Sequence, residues 1–454
     1  MNSPASKTDS TSDSIEAVGR ALRADEVSAT EILSQCLAAI ERDNPRLRAL
    51  VSIDPGTALH AAIALDVELA SGQDRGPLHG IPVVVKDTLD VAGMPTIGGS
   101  ATFTRIAASR DAAVVARLRT AGAIILGKAT TWELGCGVGE LQTRATSAEA
   151  HNPVDPAYFS GGSSSGSAVA VAAGFAYGAV GADTGGSIRS PASACGIAGL
   201  KPSFGAVERD GAFAHSTSLD HVGPMARQAS DLLALQAAML GMPAINFPAT
   251  GLDGARFAVV REWIEDAQLD AAVADNFESR IAQLRSAGAL VEFRSIGAPV
   301  TEWRKVMEII GGFESLSRNR HLLDMPDAIS PSILTWLESA AQITPQRYWD
   351  ALAQREALTA RLQTLMSEQD FLACPAAGNR VPRADDEAGR VTYSLNSVNA
   401  IYNLSGHPAL SIPTGFDDRG LPLGMQVATR RGADFRLLQM GCAMEEVFTA
   451  GNAP

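Results

Sequence analysis

The sequence has 454 residues, of which 46% are hydrophobic and 19% are charged, which is the composition of an ordinary globular protein. Its 37 lysines and arginines against 50 aspartates and glutamates give a formal net charge of −13, and this negative charge disfavours nucleic acid as a partner. No run approaches the roughly 18 uninterrupted apolar residues of a transmembrane helix, so we expect no membrane partner.

The first part of the chain alternates between helical and apolar extended patterns. Residues 1–13 are polar and rich in serine and threonine, and we expect them to be disordered. The elements predicted after them are, in chain order, a helix over 15–25, a helix opened by a Ser28–Glu31 capping box, a strand over 50–53, a helix over 58–70, a strand over 81–85, a helix from an Asp111 cap to 121, and a strand over 123–126. This alternation is typical of an α/β layer fold.

The composition changes after residue 160, where glycine, serine and alanine dominate as far as residue 205. Small residues let backbones approach closely, and loops of this kind often carry chemistry. The later elements are predicted as a helix over 167–173, strands over 177–182 and 257–260, a helix over 271–287, strands over 290–293, 371–374, 409–412 and 424–427, and a helix over 434–448. We expect residues 14–454 to form a single domain, in which a variable helical region at about 255–370 shapes the substrate site.

Three segments stand out for their chemistry: residues 79–87, 160–167 and 181–191. Lys86 lies near the end of the first segment, directly after a run of residues typical of a buried strand. Most lysines lie on the protein surface. A lysine in a low-dielectric site, however, can be neutral near pH 7 and act as a base.

The second segment contains Gly162-Ser-Ser-Ser-Gly166 and allows two interpretations. A Gly/Ser run is usually a flexible linker, but this one is short and precedes an apolar run over 168–171. It also matches the G-x-S-x-G nucleophile elbow, although Pro153 and Pro156 argue against the strand that must precede such an elbow. A phosphate-binding P-loop is excluded because no Gly-Lys-Ser/Thr follows.

The third segment places Thr184-Gly-Gly-Ser187 after a predicted strand. An ordinary β-turn would explain the two glycines. The same glycines let successive backbone N–H groups converge, however, and an oxyanion hole requires such convergence. An ordinary turn does not explain why all three segments occur in one chain.

Taken together, these segments resemble the amidase signature family. The G-G-S-S-S-G-S run, the G-x-D-x-G-G-S-I-R stretch and Gly199-Leu-Lys-Pro202 match its signature, and H-G-I-P-x-x-V-K-D lies upstream as in the family. The resemblance implies an α/β fold in which a large twisted mixed β-sheet is flanked by helices on both faces. It also implies an amidase that hydrolyses C–N acyl bonds with a serine–cis-serine–lysine triad.

The resemblance further implies a role for each matching residue. Ser187 corresponds to the nucleophile, Ser163 to the bridging serine after a cis peptide bond, and Lys86 to the base. The implied oxyanion donors are the backbone N–H groups of Thr184, Gly185, Gly186 and Ser187. The implied supporting residues are Ser164 and the ion pair of Asp183 with Arg189. Our candidate substrate contacts are Cys136, Gly137, Val138, Arg209, Ile401 and Tyr402.

Several interpretations of the activity remain open. Aryl amides or carbamates (urethanes) are the narrower expectation, a glutaminase subunit of a tRNA-dependent amidotransferase is a second, and a non-catalytic binding protein on the same fold is a third. No residue spacing suggests a metal, and we expect no cofactor. The five cysteines are scattered singly, which fits a reducing cytoplasm. We expect a small-molecule substrate and a monomer or homodimer.

Overall fold

Eleven β-strands form one mixed sheet in the computed structural model, which describes residues 14–243, 250–265 and 268–450. The strands are, in chain order, β1 (Leu50–Ile53), β2 (Pro82–Lys86), β3 (Ile124–Ala129), β4 (Gly178–Asp183), β5 (Ala198–Lys201), β6 (His221–Ala226), β7 (Arg256–Val260), β8 (Leu290–Arg294), β9 (Phe371–Pro375), β10 (Ala409–Phe416) and β11 (Pro422–Ala428). Across the sheet they follow the order β1-β3-β2-β4-β6-β5-β10-β11-β9-β7-β8. Strand β2 pairs in parallel with β3 and β4, and β7 with β8 and β9, whereas the other pairs are antiparallel.

The described residues also form fifteen α-helices. These are α1 (Ile15–Arg23), α2 (Ala29–Leu47), α3 (Pro55–Ala70), α4 (Ala113–Thr120), α5 (Ser165–Ala172), α6 (Arg189–Cys195), α7 (Ala229–Met239), α8 (Arg261–Glu265), α9 (Ala271–Ser286), α10 (Val300–Asn319), α11 (Pro331–Ala340), α12 (Pro345–Glu368), α13 (Glu387–Leu395), α14 (Asn399–Ser405) and α15 (Asp434–Ala450). The expected disorder of residues 1–13 concerns a segment outside the described residues. In the described ranges, no helix combines the length and the apolar character that crossing a membrane requires.

The helices cover both faces of the sheet. In β7, Phe257 and Val259 belong to one apolar core, whereas Ala258 and Val260 belong to a second, and β9 divides its residues in the same way. Because successive side chains of a strand point to opposite faces, the two cores lie on the two sides of the sheet. Helices α2, α7 and α15 contribute to the first core, and α10, α12 and α14 contribute to the second. The predicted α/β class and large mixed sheet are therefore confirmed.

Local signals at the helix starts led to one correct and one wrong prediction. The capping box at the start of α2 is present, with reciprocal hydrogen bonds between Ser28 and Glu31. The predicted Asp111 cap of α4 is wrong, because the helix begins two residues later and has no side-chain cap. The Asp111 carboxylate instead accepts the Ala92 N–H at 2.8 Å and pairs with Arg119 at 2.9 Å.

The sequence patterns do not predict β5 and β6, which lie side by side in the middle of the sheet. Strand β6 contains Gly223 and Pro224, and Pro224 stands opposite Val180 of β4. Proline cannot donate to a ladder and glycine has no side chain to pack, so both normally argue against a central strand. Tertiary pairing outweighs this local preference here.

Candidate active site

Lys86 is the last residue of β2 and is almost completely enclosed. It follows four buried residues of a strand held between β3 and β4, and only 2% of its own surface is exposed. Lys86 Nζ lies 2.8 Å from Ser163 Oγ and 3.4 Å from the Ala182 carbonyl oxygen. Burial lowers the pKa of Lys86 to about 7, although the carboxylates of Asp183 and Asp220 act in the opposite direction. The amine can therefore serve as a base at neutral pH.

Ser163 is joined to Gly162 by a cis peptide bond, and only glycine fits at position 162. The Gly162–Ser163 bond is cis, and a Cβ atom at Gly162 would lie 2.1 Å from the ring of Trp132. The Ser163 carbonyl oxygen accepts the Trp132 N–H at 3.3 Å and the Thr131 hydroxyl at 3.1 Å. These contacts hold the buried Ser163 hydroxyl against the Lys86 amine.

Ser164 ties this loop to β4 and to the turn that carries Ser187. Its hydroxyl donates to the Ala182 carbonyl oxygen at 3.1 Å, and its backbone N–H donates to the Ser187 carbonyl oxygen at 3.1 Å. The Lys86 amine approaches the same Ala182 carbonyl oxygen. The three segments singled out from the sequence therefore meet at one place.

Ser187 lies in a tight turn between β4 and α6 and is partly exposed. Gly186 has a φ of +122°, in the region that favours glycine. The Gly186 N–H donates to Asp183 Oδ1 at 2.8 Å, and the Ile188 N–H donates to Asp183 Oδ2 at 3.1 Å. The expected role of Gly186 as an oxyanion donor is thus corrected, because its N–H is already bound to the Asp183 carboxylate. Thr184, Gly185 and Gly186 all line a cavity beside Ser187.

A buried ion pair behind the turn fixes its shape. Arg189 Nε and Nη2 each lie 3.0 Å from an oxygen of Asp183, and the two residues are 1% and 0% exposed, so this bidentate pair is shielded from solvent. Arg189 also donates to Asn403 Oδ1 at 2.6 Å and to Gln426 Oε1 at 2.7 Å. Burial opposes ionisation of Asp183, but the Arg189 guanidinium outweighs it and holds the pKa of Asp183 below its usual range. No local sequence motif indicates that Asn403 and Gln426 bind Arg189, because they come from α14 and β11, which are far from Arg189 in the sequence.

Asp220 positions the Thr184 side chain by a hydrogen bond. The Thr184 hydroxyl donates to Asp220 Oδ1 at 2.6 Å, and the N–H groups of His215 and Ser216 donate to Oδ2 at 2.8 and 2.9 Å. Burial raises the pKa of Asp220 to about 6, against the effect of these hydrogen bonds. Asp220 lies in the Ser218-Leu-Asp220 stretch of the sequence, which could have indicated it.

Two adjoining cavities open onto these residues. The Lys86 cavity, of about 300 Å³, is lined by the polar residues Lys86, Ser163, Asp220 and Arg318 and by apolar residues such as Leu134 and Phe213. The Ser187 cavity, of about 160 Å³, combines Ser187 with large apolar side chains, namely Trp132, Leu219, Met307, Ile333 and Trp336. Gly135, Thr184 and His215 line both cavities, so the two spaces meet beside the Ser187 turn.

Four of the six candidate substrate contacts reach these cavities. Cys136, Gly137 and Val138 line the Ser187 cavity. Arg209 lines the Lys86 cavity, where its guanidinium donates to the Thr217 and Asp220 carbonyl oxygens at 2.9 and 3.1 Å. Burial raises the pKa of the Cys136 thiol, so this cysteine is not an activated nucleophile.

The other two candidates, Ile401 and Tyr402, do not reach either cavity. Both are 0% exposed and belong to the second apolar core, together with residues of α10 and α12. Asn399, at the start of the same helix, lines the Ser187 cavity instead. Met307 of α10 and Trp336 of α11 also line it, and no sequence motif indicates either residue.

Comparison with known proteins identifies the family. The family model "Amidase" matches residues 31–438. AmiD of Mycobacterium tuberculosis, which carries the name of an amidase, is 32% identical over 451 residues and covers 94% of this chain and 92% of its own. A glutamyl-tRNA(Gln) amidotransferase subunit of Chloroflexus aurantiacus is 31% identical over 480 residues, with 95% and 96% covered. A crystal structure of an amidase superposes with a TM-score of 0.86 at 32% identity, covering 95% of this chain and 99% of that one.

The chain therefore belongs to the amidase family. Its fold, a large mixed sheet between helices, is the fold of the solved amidase. As an enzyme of this family it acts on C–N bonds. The resemblance stated from the sequence motifs is confirmed over nearly the whole chain.

Proposed function

We propose that this enzyme hydrolyses C–N acyl bonds through Lys86, Ser163 and Ser187 and that an acyl-enzyme forms on Ser187. The observation that carries the proposal is the 2.8 Å contact between Lys86 Nζ and Ser163 Oγ inside the protein. A buried lysine with a pKa of about 7 is largely neutral at slightly alkaline pH and can accept a proton. A serine bonded to that amine can pass protons between the lysine and a second serine.

The first half of the reaction forms the acyl-enzyme. Lys86 Nζ takes the Ser163 proton while Ser163 Oγ takes the Ser187 proton, and Ser187 Oγ attacks the substrate carbonyl carbon. Backbone N–H groups of Thr184, Gly185 and Ser187 are the proposed donors to the oxyanion. When the C–N bond breaks, Ser163 gives its proton to the departing nitrogen and recovers one from the Lys86 ammonium.

The second half releases the acyl group. Water attacks the ester carbon while its proton passes through Ser163 to Lys86. Ser187 then leaves with a proton returned along the same relay, and the free acid departs. Amines leave poorly unless they are protonated, so a relay that touches the leaving nitrogen suits amides.

The two cavities suggest where each half of the substrate binds. The leaving nitrogen must approach Ser163, which lines the Lys86 cavity, so the amine belongs on this side. The acyl group then extends into the Ser187 cavity, where Trp132, Met307 and Trp336 supply apolar contact. We therefore propose small-molecule amides or carbamates with aryl or other apolar parts as substrates, with α10 and α11 shaping the acyl side.

A hydrolysis panel tests the proposal. Purified protein is given an aryl amide, an aryl carbamate, a urea, an ester and L-glutamine, and the released amine, ammonia or, for the ester, alcohol is measured. We expect aryl amides or carbamates to be cleaved, Ser187→Ala to abolish cleavage, and Ser193→Ala to retain it. Ser193 is a matched control because it is a buried serine of the same helix α6 that lines neither cavity. Undiminished turnover by Ser187→Ala would exclude an acyl-enzyme at this serine.

A glutaminase is the second candidate, because the amidotransferase subunit of Chloroflexus aurantiacus is 31% identical to this chain. Glutamine carries an α-ammonium and an α-carboxylate, and both need charged partners in the acyl-binding cavity. Glu140 and Glu308 line the Ser187 cavity and can pair with the ammonium, but the described residues that line it include no lysine or arginine for the carboxylate. Leu219, Met307 and Ile333 of the same wall favour an apolar acyl group. Ammonia release from L-glutamine at a rate above that from the aryl amide would favour the glutaminase. A non-catalytic binding protein is disfavoured by the buried Lys86–Ser163 contact.

A further inference from the structure

His215 lies in the walls of both cavities, and the proposed reaction does not use its side chain. The imidazole ring stacks on Trp336, with the ring centroids 5.2 Å apart and the ring planes at 22°. Neither ring nitrogen has a hydrogen-bond partner within the described part of the chain. Both nitrogens keep accessible surface, unlike His221 Nε2, which is buried without a partner. A molecule that occupies the cavities can therefore reach the ring nitrogens of His215.

The junction of the two cavities, where His215 lies, borders the groups that act on the scissile bond. Gly135 and Thr184 line the same junction, and a Cβ atom at Gly135 would lie 3.8 Å from Ser163 Oγ. One carboxylate holds the other two residues in place. Asp220 accepts the Thr184 hydroxyl at 2.6 Å and the His215 backbone N–H at 2.8 Å. His215 is therefore fixed beside Thr184, which is one of the proposed oxyanion donors.

The imidazole of His215 is neutral at the pH at which Lys86 can act as a base. Burial lowers the pKa of His215 to about 4, and the Lys86 amine acts in the same direction while the Glu314 carboxylate opposes both. A neutral imidazole has one N–H donor and one bare nitrogen that accepts a hydrogen bond. The ring thus offers an acceptor in a wall where the Thr184 hydroxyl is already bound to Asp220.

The proposed reaction leaves one polar group of the scissile bond without a partner. The carbonyl oxygen meets the backbone donors of the Ser187 turn, and the nitrogen lone pair faces the Ser163 hydroxyl from which it takes a proton. The N–H of a secondary amide or of an N-aryl carbamate points elsewhere. It loses its water when substrate fills the cavities, which is unfavourable unless a protein acceptor replaces that water.

We propose that a ring nitrogen of His215 accepts the N–H of the scissile bond. This contact selects secondary amides and N-aryl carbamates over esters, whose leaving oxygen carries no hydrogen. The inference rests on the proposed function, because the scissile bond lies at the junction only if Ser187 is the nucleophile and Ser163 protonates the leaving nitrogen. An N–H held by His215 cannot turn towards Ser163, so the nitrogen lone pair faces the Ser163 hydroxyl. The stack on Trp336 fixes the plane of the accepting ring.

A matched pair of chromogenic substrates tests this contact. The pair is the 4-nitroanilide and the 4-nitrophenyl ester of one carboxylic acid, chosen from those whose amide the wild type cleaves in the hydrolysis panel. His215→Phe keeps a ring that can stack on Trp336 but removes both nitrogens. It should lower the ratio of the anilide kcat/KM to the ester kcat/KM by about fivefold to tenfold, the effect of one lost hydrogen bond. His215→Leu removes the same nitrogens with a different shape and should lower the ratio as well. His60→Phe alters a histidine of α3 that lines neither cavity and should leave the ratio at the wild-type value.

The pH profile separates loss of this contact from damage to the proton relay. His215 is neutral throughout the range in which Lys86 titrates, so the anilide profile of His215→Phe should keep the wild-type midpoint at about 7. A displaced midpoint would show that the substitution acts through Lys86, and it would overturn the inference.

The outcomes separate this inference from the proposed function. If the wild type cleaves both substrates and the ratio is unchanged in both His215 variants, the contact is refuted and the proposed function stands. If His60→Phe lowers the ratio equally, the effect does not come from the junction, and the contact is again refuted. If the wild type cleaves no amide or carbamate of the panel, the proposed function fails and the contact fails with it.

Discussion

Replacing Lys86 by methionine should change how stability depends on pH. Lys86 is 2% exposed, and burial lowers its pKa from 10.5 to about 7. A lysine with a lower pKa in the folded protein destabilises the fold below the folded-state pKa, and this cost disappears as pH rises towards the unfolded pKa. The shift from 10.5 to about 7 corresponds to about 5 kcal/mol at the acid limit. Methionine has a similar length and does not titrate, so the variant lacks this cost.

Urea unfolding of wild type and Lys86→Met at pH 6 and pH 9 measures the effect. With pKa values of 10.5 and about 7, the cost of the lysine is about 5 kcal/mol at pH 6 and about 2 kcal/mol at pH 9. The advantage of the variant in free energy of unfolding should therefore shrink by roughly 2–3 kcal/mol over this interval. The other titrating groups are the same in both proteins, so their contributions largely cancel in the difference in free energy of unfolding. A difference that is constant with pH, or that grows, would show that Lys86 keeps an ordinary pKa, and the reasoning would be wrong.

The same buried groups determine the response of activity and stability to other changes. The kcat/KM for an anilide should fall about tenfold for each pH unit below the Lys86 pKa of about 7, because only the neutral amine accepts a proton; a flat profile would exclude this base. Lys86→Arg should not restore activity, since arginine stays charged. Lys86→Ala and Ser163→Ala should lower anilide turnover more than turnover of an activated ester, whose leaving group needs no proton, and equal losses would contradict the relay. Asp183→Asn should lower the free energy of unfolding by about 3–5 kcal/mol, because it removes the carboxylate from the buried Arg189, and an unchanged Tm in calorimetry would contradict this.

Much of the fold, and the three segments that carry the proposed triad, could be predicted because the signals are local. Lys86 follows an uninterrupted apolar run that is typical of a buried strand, and Ser163 and Ser187 lie in short glycine-rich turns. Such patterns are visible within a few neighbouring residues. The helix and strand alternation is local in the same sense, which is why the α/β class could be predicted while β6, with Gly223 and Pro224, could not.

Cys136, Gly137, Val138 and Arg209 were predicted from the sequence and line the cavities, but the rest of the walls could not be predicted because it depends on packing between distant segments. The pattern of the seven-residue helix α14 does not show that Ile401 and Tyr402 enter the second core while Asn399 lines the Ser187 cavity. Trp336 comes from α11, and its sequence context does not distinguish it from an ordinary core residue. The bond from the Gly186 N–H to Asp183 is likewise a matter of turn geometry, which glycine content alone does not reveal.

The identity of the nucleophile is tested most directly by labelling with a fluorophosphonate, which an activated serine attacks. Cleavage before aspartate places Ser163 and Ser164 in the fragment 155–182 and Ser187 in the fragment 183–209, so mass mapping separates the candidates. Tandem mass spectrometry then distinguishes Ser187 from Ser190 within the second fragment. We predict a single label on Ser187 that is absent from Ser187→Ala. A label on Ser163, Ser164 or Ser190 in the wild type would contradict the proposed acyl-enzyme.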